Sequence, residues 1–339
     1  MKFNIRTLRG AGLVLLGAVL LRILCSCTLS EHWGLFAQPE LATYLTQTSK
    51  TQTTSPAPQA TEATLQTSPT DPDPTAETES FRESAGQSVV NLTEADSNYV
   101  QIKYSCSSTP DIPALLNQSL SWDLTTEEPA VLIIHTHGTE AYTPTPGMEY
   151  TENGGEYRTT NSDVNMIALG EELTRQLQAA GINAIHDQEY YDYPDYEASY
   201  DVCRVALEKH MKEIPSLKLV IDLHRDSAEY SDGSQWATSA TVDGQEAAQV
   251  MLVIGTDRYY EHPNWEQNLS VALKLHALME KEHPGSTRPL DLRKQRFNQD
   301  LCTGAIIAEI GSAGNTYEQA LVGVTVLAEA VIQLTYGAK

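Results

Sequence analysis

The sequence predicts an α/β domain, an open, mainly parallel twisted sheet flanked by helices, preceded by a membrane anchor and a disordered stalk. Three observations carry this reading. Short apolar runs of strand length alternate with longer amphipathic stretches, the pattern of successive β-α-β units. Chemistry-bearing polar clusters follow directly on three of those runs. The first ninety residues lack the apolar content that a packed core needs, apart from one N-terminal run.

Met1–Arg9 carries Lys2, Arg6 and Arg9 and no acidic residue, and an apolar run from Ala11 to Leu29 follows, with Arg22 its only charge. About 20 such residues cross a bilayer core. Basic residues ahead of the run and an acidic chain behind it put the N-terminus in the cytoplasm and the rest outside. Residues 1–30 are therefore read as a transmembrane anchor or uncleaved signal. Leu24-Cys25-Ser26-Cys27 loosely resembles a lipobox ending at Cys27, so lipidation and cleavage stand as alternatives that give the same compartment. Residues 31–90 are read as a disordered Ser/Thr/Pro/acidic stalk, most plainly over Thr46–Ser88, because such a composition buries too little surface to offset its ordering entropy. As a random coil the stalk spans roughly 35–45 Å.

Residues 91–339 hold the extracytoplasmic domain. Val131–Ile134 is a continuous apolar run, as expected of a buried central strand. Asp163–Ala180 is amphipathic at helical spacing, with Ser162 or Asp163 as N-cap and Gly181 as the stop. A strand over Ile182–His186 and a helix over Tyr196–Met211 follow, then strands at Leu217–Leu223 and Met251–Ile254. A helix from Trp265 to Glu280, a buried strand from Ala305 to Ile310 and a closing helix from Tyr317 to Leu334 complete the alternation.

A formal net charge of -23 excludes nucleic acid as a partner, since phosphate contacts need a basic surface. It leaves a cell-wall polymer open, provided the grip is local. With Cys25 and Cys27 in the anchor, Cys106, Cys203 and Cys302 are scattered, odd in number and without a C-x-x-C pair. They support no disulfide framework, and a single bridge such as Cys106–Cys203 stays open. Any bound zinc must therefore be held by histidine and carboxylate.

The chemistry lies in three clusters at the C-terminal ends of strands, the edge where open α/β sheets bind ligands. The first is His135-Thr136-His137-Gly138-Thr139-Glu140, the second Asp222-Leu223-His224-Arg225-Asp226, and the third Glu309 with Gly311 and Gly314-Asn315 after it. Hydrolytic zinc sites take three protein ligands, commonly two His and a carboxylate, and keep one position open. A further carboxylate serves as general base. Two histidines from different strand ends plus Glu140 supply such a ligand set, and Glu309 the base. Whether His135 or His137 is the ligand stays open at this point. An isolated strand-end histidine is more often a hydrogen-bonded structural residue; three of them with two glutamates at one sheet edge are harder to call incidental.

Other residues weigh less. His186 and Asp226 are candidates for supporting the ligands or touching substrate, as is Asn298 in the polar stretch Arg296–Asp300. Arg225 is suited to a substrate carboxylate or an oxyanion. Tyr190, Tyr191, Tyr193, Tyr196 and Tyr200 are expected to pack rather than stack on sugar, and His210, His262, His276 and His283 to face solvent.

HTHGTEAY at 135–142, NMIALGEELTRQL at 165–177, DLHRDS at 222–227, RFNQDL at 296–301 and AEIGSAGNT at 308–316 together resemble the stage II sporulation protein P family. These are membrane-tethered peptidoglycan amidase/endopeptidases of spore formers. The resemblance covers about residues 95–337 and implies a fold like the zinc N-acetylmuramoyl-L-alanine amidases. It also implies removal of stem peptides during engulfment, alongside a sporulation lytic transglycosylase, stage II sporulation protein D. It makes His137, Glu140 and His224 the zinc ligands and Glu309 the catalytic residue; His137 fits better than His135 because the turn follows it. Ala141, Ser227 and Ser312 depart from the family pattern without touching a proposed ligand. A zinc carboxypeptidase or deacetylase acting on the wall, or a non-catalytic wall-binding module, are the competing readings.

Overall fold

β2 (Val131–Ile134) is buried at all four positions. Its alternate side chains enter different layers. Val131 and Ile133 join the larger core, with Leu169 and Leu173 of the helix α2 (Met166–Ala179). Leu132 and Ile134 pack with Cys203 and Leu207 of α3 (Ser199–Glu213). A strand apolar at every residue is what a sheet covered on both faces requires. The computed structural model describes residue 92 and residues 94–120 and 122–337; the expected anchor and stalk lie outside the described residues.

Around β2 a seven-stranded sheet runs in the order β1-β8-β7-β9-β4-β2-β3. These strands are β1 (Ile102–Tyr104), β3 (Ala184–His186), β4 (Leu219–Asp226), β7 (Val250–Gly255), β8 (Leu290–Arg293) and β9 (Ala305–Ser312). Every neighbouring pair is parallel except β7–β9, so the mainly parallel α/β architecture is observed. A hairpin of β5 (Ser239–Val242) and β6 (Gln245–Ala248) stands apart as a two-stranded sheet. α1 (Ile112–Asn117), α4 (Trp265–Glu282) and α5 (Tyr317–Gly337) share the larger core with α2.

Three departures from the sequence reading have physical causes. α2 begins later than the expected caps, Ser162 or Asp163, would start it, because the cap is Asn165, whose side chain accepts from the Ile167 N–H. Asn165 is itself bridged to Ala141, so the start of the helix is set by the loop after β2. β1 and β8 are missing from the sequence reading because both are short and polar at alternate positions, as in Leu-Asp-Leu-Arg. His262 and His276 are buried rather than solvent-facing: the His276 Nε2 accepts from the Gln101 N–H at 3.2 Å, and burial pulls its pKa down to about 4. Among the described residues one helix, Tyr317–Tyr336, is long and apolar enough to cross a bilayer. Here it packs on the sheet through Val324, Leu327 and Val331.

Candidate active site

Because β2, β4 and β9 are mutually parallel, their C-terminal ends lie at one edge, and the three polar clusters meet there. His224 on β4 is in register with Glu309 on β9. The register then slips by one residue, Asp226 pairing with Ser312, across Gly311 at φ 64, a left-handed conformation that glycine adopts without strain. A bulge at a strand end re-aims side chains next to a functional edge.

Asp222 ties β4 to β2 by accepting from the Thr136 N–H at 2.7 Å and the Thr136 hydroxyl at 2.6 Å. Its Oδ1 is also 2.8 Å from His224 Nε2. That leaves His224 Nδ1 facing Glu140, 3.5 Å from Oε2. Burial alone would discharge His224; Asp222 and Glu140 overcome it and raise its pKa well above 6.5. Burial likewise opposes the ionised form of Glu140, but Arg225 and His224 hold its carboxyl far below the usual range.

His137 lies edge-on to His224, ring centroids 5.3 Å apart at 87°. Its Nδ1 is shielded from solvent and has no hydrogen-bond partner. Burial lowers its pKa to about 4, so the ring is neutral and its lone pair is available. Glu309 is half-buried with Oε2 shielded and unpartnered; burial raises its pKa to about 8, with Glu140 adding to the rise.

His135 is placed differently. Its Nδ1 donates to the Leu223 carbonyl at 3.0 Å, and its Nε2 lies 2.8 Å from His186 Nε2. A carbonyl only accepts, so the proton sits on Nδ1 and Nε2 takes one from His186. Both nitrogens are used, and His135 and His186 form a separate buried pair.

Arg225 is spent within the fold. Its Nε donates to the Ala141 carbonyl and Nη2 to the Tyr157 carbonyl, both at 2.9 Å, while its backbone N–H donates to Glu140 Oε2 at 3.1 Å. The expected role at an oxyanion gives way to that of a clamp on the loop after β2. Asn298 is one layer out: its amide donates to the Tyr200 carbonyl at 2.8 Å, and the Tyr200 ring stands 5.5 Å from that of His137, centroid to centroid. Asp226 lies 2.7 Å from Arg288.

Sequence reasoning missed Arg158, whose Nη2 donates to Glu140 Oε1 at 3.1 Å. It also missed Asp192, which accepts from Arg158 at 3.0 Å, and set aside Tyr196, which stacks on His137 at 4.5 Å and 16°. The tyrosine-rich stretch after β3 was a signal for Asp192 and Tyr196, and Arg158 had none. Among the described residues no three His, Cys, Asp or Glu side chains form a ready-made metal cage, and the cysteines Cys106, Cys203 and Cys302 are free.

The Stage II sporulation protein P of Bacillus subtilis (strain 168) is 30% identical over 206 residues, 58% of this chain and 48% of that protein, so the chain spans about half the length of the curated relative it matches. Among solved structures, the apo N-acetylmuramyl-L-alanine amidase Ami1 of Mycobacterium abscessus overlays with a TM-score of 0.36 at 14% identity, covering 62% of this chain and 99% of that one. The CwlD amidase of Clostridioides difficile, solved with the GerS lipoprotein, gives 0.35 at 11% identity, over 61% and 95%. The family model described as Stage II sporulation protein P matches residues 36–332. Matched along most of its length, from before the first strand into the last helix, the chain belongs to the stage II sporulation protein P family.

Proposed function

We propose that the chain is a zinc-dependent peptidoglycan hydrolase of sporulation, an N-acetylmuramoyl-L-alanine amidase that also cuts peptide cross-links. It removes stem peptides during engulfment, held at the cell membrane by residues 1–30, with its domain outside the cytoplasm and stage II sporulation protein D as its glycan-cleaving partner. One observation supports this chemistry: His137 stands edge-on to His224, Glu140 lies 3.5 Å from His224 Nδ1, and Glu309 is in register beside His224 at the same sheet edge. A buried polar atom without a partner signals a missing water or ion; His137 Nδ1 and Glu309 Oε2 are two such atoms.

The residues fit zinc in kind. His137, Glu140 and His224 are the two-histidine, one-carboxylate set of hydrolytic sites. Asp222 stands at Nε2 of His224, as carboxylates commonly stand behind ligating histidines. When bound, zinc supplies Lewis acidity to the amide carbonyl and to the attacking water. Glu309 accepts that water's proton as its oxygen bonds to the carbonyl carbon, and passes it to the amine nitrogen as the C–N bond breaks. A pKa of about 8 suits a group that must both take and give a proton near neutrality.

Zymography of the full-length chain on purified wall tests the base: Glu309→Gln loses about 10²–10⁴-fold activity, and clearing equal to wild type overturns the assignment. Metal analysis tests the ligands: one zinc per chain co-purifies and His224→Ala loses it, whereas unchanged metal content removes His224 from the set. Mass analysis of muropeptide products separates amidase from carboxypeptidase, deacetylase and cross-link cleavage.

A further inference from the structure

Two of the three residues that would hold zinc share a support from outside the sequence motifs. Arg158 lies on the segment bridged to Glu140, with its side chain 12% exposed. Its two terminal nitrogens reach opposite partners, Glu140 Oε1 at 3.1 Å and Asp192 Oδ2 at 3.0 Å. Asp192, 3% exposed, is anchored in turn by the Thr139 hydroxyl, which donates to Oδ2 at 2.5 Å. The Arg158 guanidinium carbon stands 4.5 Å from the centroid of the Tyr196 ring, and that same ring stacks on His137 at 4.5 Å. Glu140 divides its oxygens accordingly. Oε1 faces Arg158, and Oε2 is the oxygen 3.5 Å from His224 Nδ1.

We propose that Arg158, held by Asp192 and Tyr196, is a positioning residue that aims Glu140 and His137 at a shared cation. The inference rests on the zinc reading above and concerns which of the chain's own residues prepare the site. A guanidinium beside a dication is repelled by it, but Asp192 at 3.0 Å offsets that charge, so orientation outweighs repulsion. Carboxylate and histidine ligands held by outer hydrogen bonds typically lose about 10–100-fold in metal affinity when those partners are removed. Arg158 touches two oxygens of separate loops at once, and a planar fork does this better than a point charge.

The test measures zinc affinity by chelator competition, and the visible absorption of the cobalt(II)-loaded chain, on the full-length protein in detergent. Arg158→Gln and Tyr196→Leu each weaken zinc by about 10–100-fold and alter the cobalt spectrum, while Tyr196→Phe keeps both at wild type. Arg158→Lys falls between, having the charge without the fork. The double variant loses less than the two single losses combined, because both act on one assembly. Tyr196 is 42% exposed, so its variants carry the test if Arg158→Gln does not fold. Unchanged or tighter zinc in Arg158→Gln and Tyr196→Leu, with the wild-type cobalt spectrum, overturns the positioning role alone. A wild-type chain that takes up no zinc overturns the metal reading and this inference together.

Discussion

His135 and His137 leave β2 two residues apart and enter different neighbourhoods. Behind the edge, His135 is fully buried, and each of its ring nitrogens has a partner within 3.0 Å, the Leu223 carbonyl and His186. At the edge, His137 keeps Nδ1 unpartnered while its ring is fixed by Tyr196 and set edge-on to His224. Both rings are neutral, with pKa values lowered by burial to about 3 and about 4. The difference is in their valences. A buried histidine whose hydrogen bonds close on the protein itself is cross-linking the fold, whereas one held rigid with an open lone pair is prepared for something that is not protein. Residue type and strand position are nearly the same for the two; only the partner inventory separates them.

Removing each ring in turn gives the largest difference between the two. His137→Ala removes a proposed ligand and with it several kcal/mol of transition-state stabilisation, about 10³-fold in wall hydrolysis, while the thermal midpoint moves by a few degrees at most. His135→Ala strands the Leu223 carbonyl and His186. Each unsatisfied buried group costs about 1–3 kcal/mol, so stability drops while hydrolysis per folded molecule stays within about tenfold. Denaturant melts beside zymography on the same preparations decide the matter. A His135→Ala protein that is stable but inactive would invert the two roles.

How far the sequence displayed this follows from the range of the interactions. The strands β2, β4 and β9 and their terminal polar clusters are local patterns, an apolar run followed by His or Glu, and the parallel pairing that brings them together follows from the alternation with helices. Arg158, Asp192 and Tyr196 carry no such pattern. Arg158 stands in a polar loop, and it matters only because Asp192, 34 residues on, folds back against it. The Asn165 cap was passed over for Ser162 and Asp163 for the same reason, since its bonds run to Thr159 and Tyr190. Arg225 was legible as an arginine at a functional edge, but the carbonyls of Ala141 and Tyr157 that occupy it belong to a loop whose path no periodicity describes.

Gly170 on α2 packs directly against the His135–His186 pair. A Cβ there would stand 2.5 Å from both His135 Nε2 and His186 Nε2, a distance at which something must move. Because His135 and His186 are fixed to each other and His135 to Leu223, neither ring has an easy escape. Gly170→Ala therefore costs about 3 kcal/mol, at the upper end of overpacking in cores, despite the better helix propensity of alanine. Zinc content and wall hydrolysis of the folded fraction stay at wild type, since the pair behind the edge takes the strain. Loss of zinc at unchanged stability would mean that the two histidine groups are one mechanical unit.

The smallest effect is in the pH dependence of stability, where His135 and His224 differ in sign. Burial holds the His135 pKa at about 3, below its ordinary 6.5. As pH falls below 6.5 the unfolded chain binds a proton that the folded chain refuses, so this contribution is present above 6.5 and is lost on the acid side. By about pH 5 the loss reaches about 2 kcal/mol. His224 runs the other way: Asp222 and Glu140 raise its pKa well above 6.5, so in the metal-free chain its contribution is complete below 6.5 and is lost as pH rises through the folded value. Urea melts in the presence of a chelator from about pH 5 to pH 9 separate the two limbs. His135→Asn reduces the acid limb and leaves the alkaline limb, whereas His224→Gln reduces the alkaline limb; His137 and His276, both lowered to about 4, add to the acid limb, and Glu309, raised to about 8, adds to the alkaline one. Zinc then serves as a control, because a ligating histidine must be deprotonated: at saturating metal the His224 part of the alkaline limb disappears and the acid limb of His135 remains. A wild-type alkaline limb that is unmoved by zinc would show that His224 keeps its proton and belongs with the structural histidines.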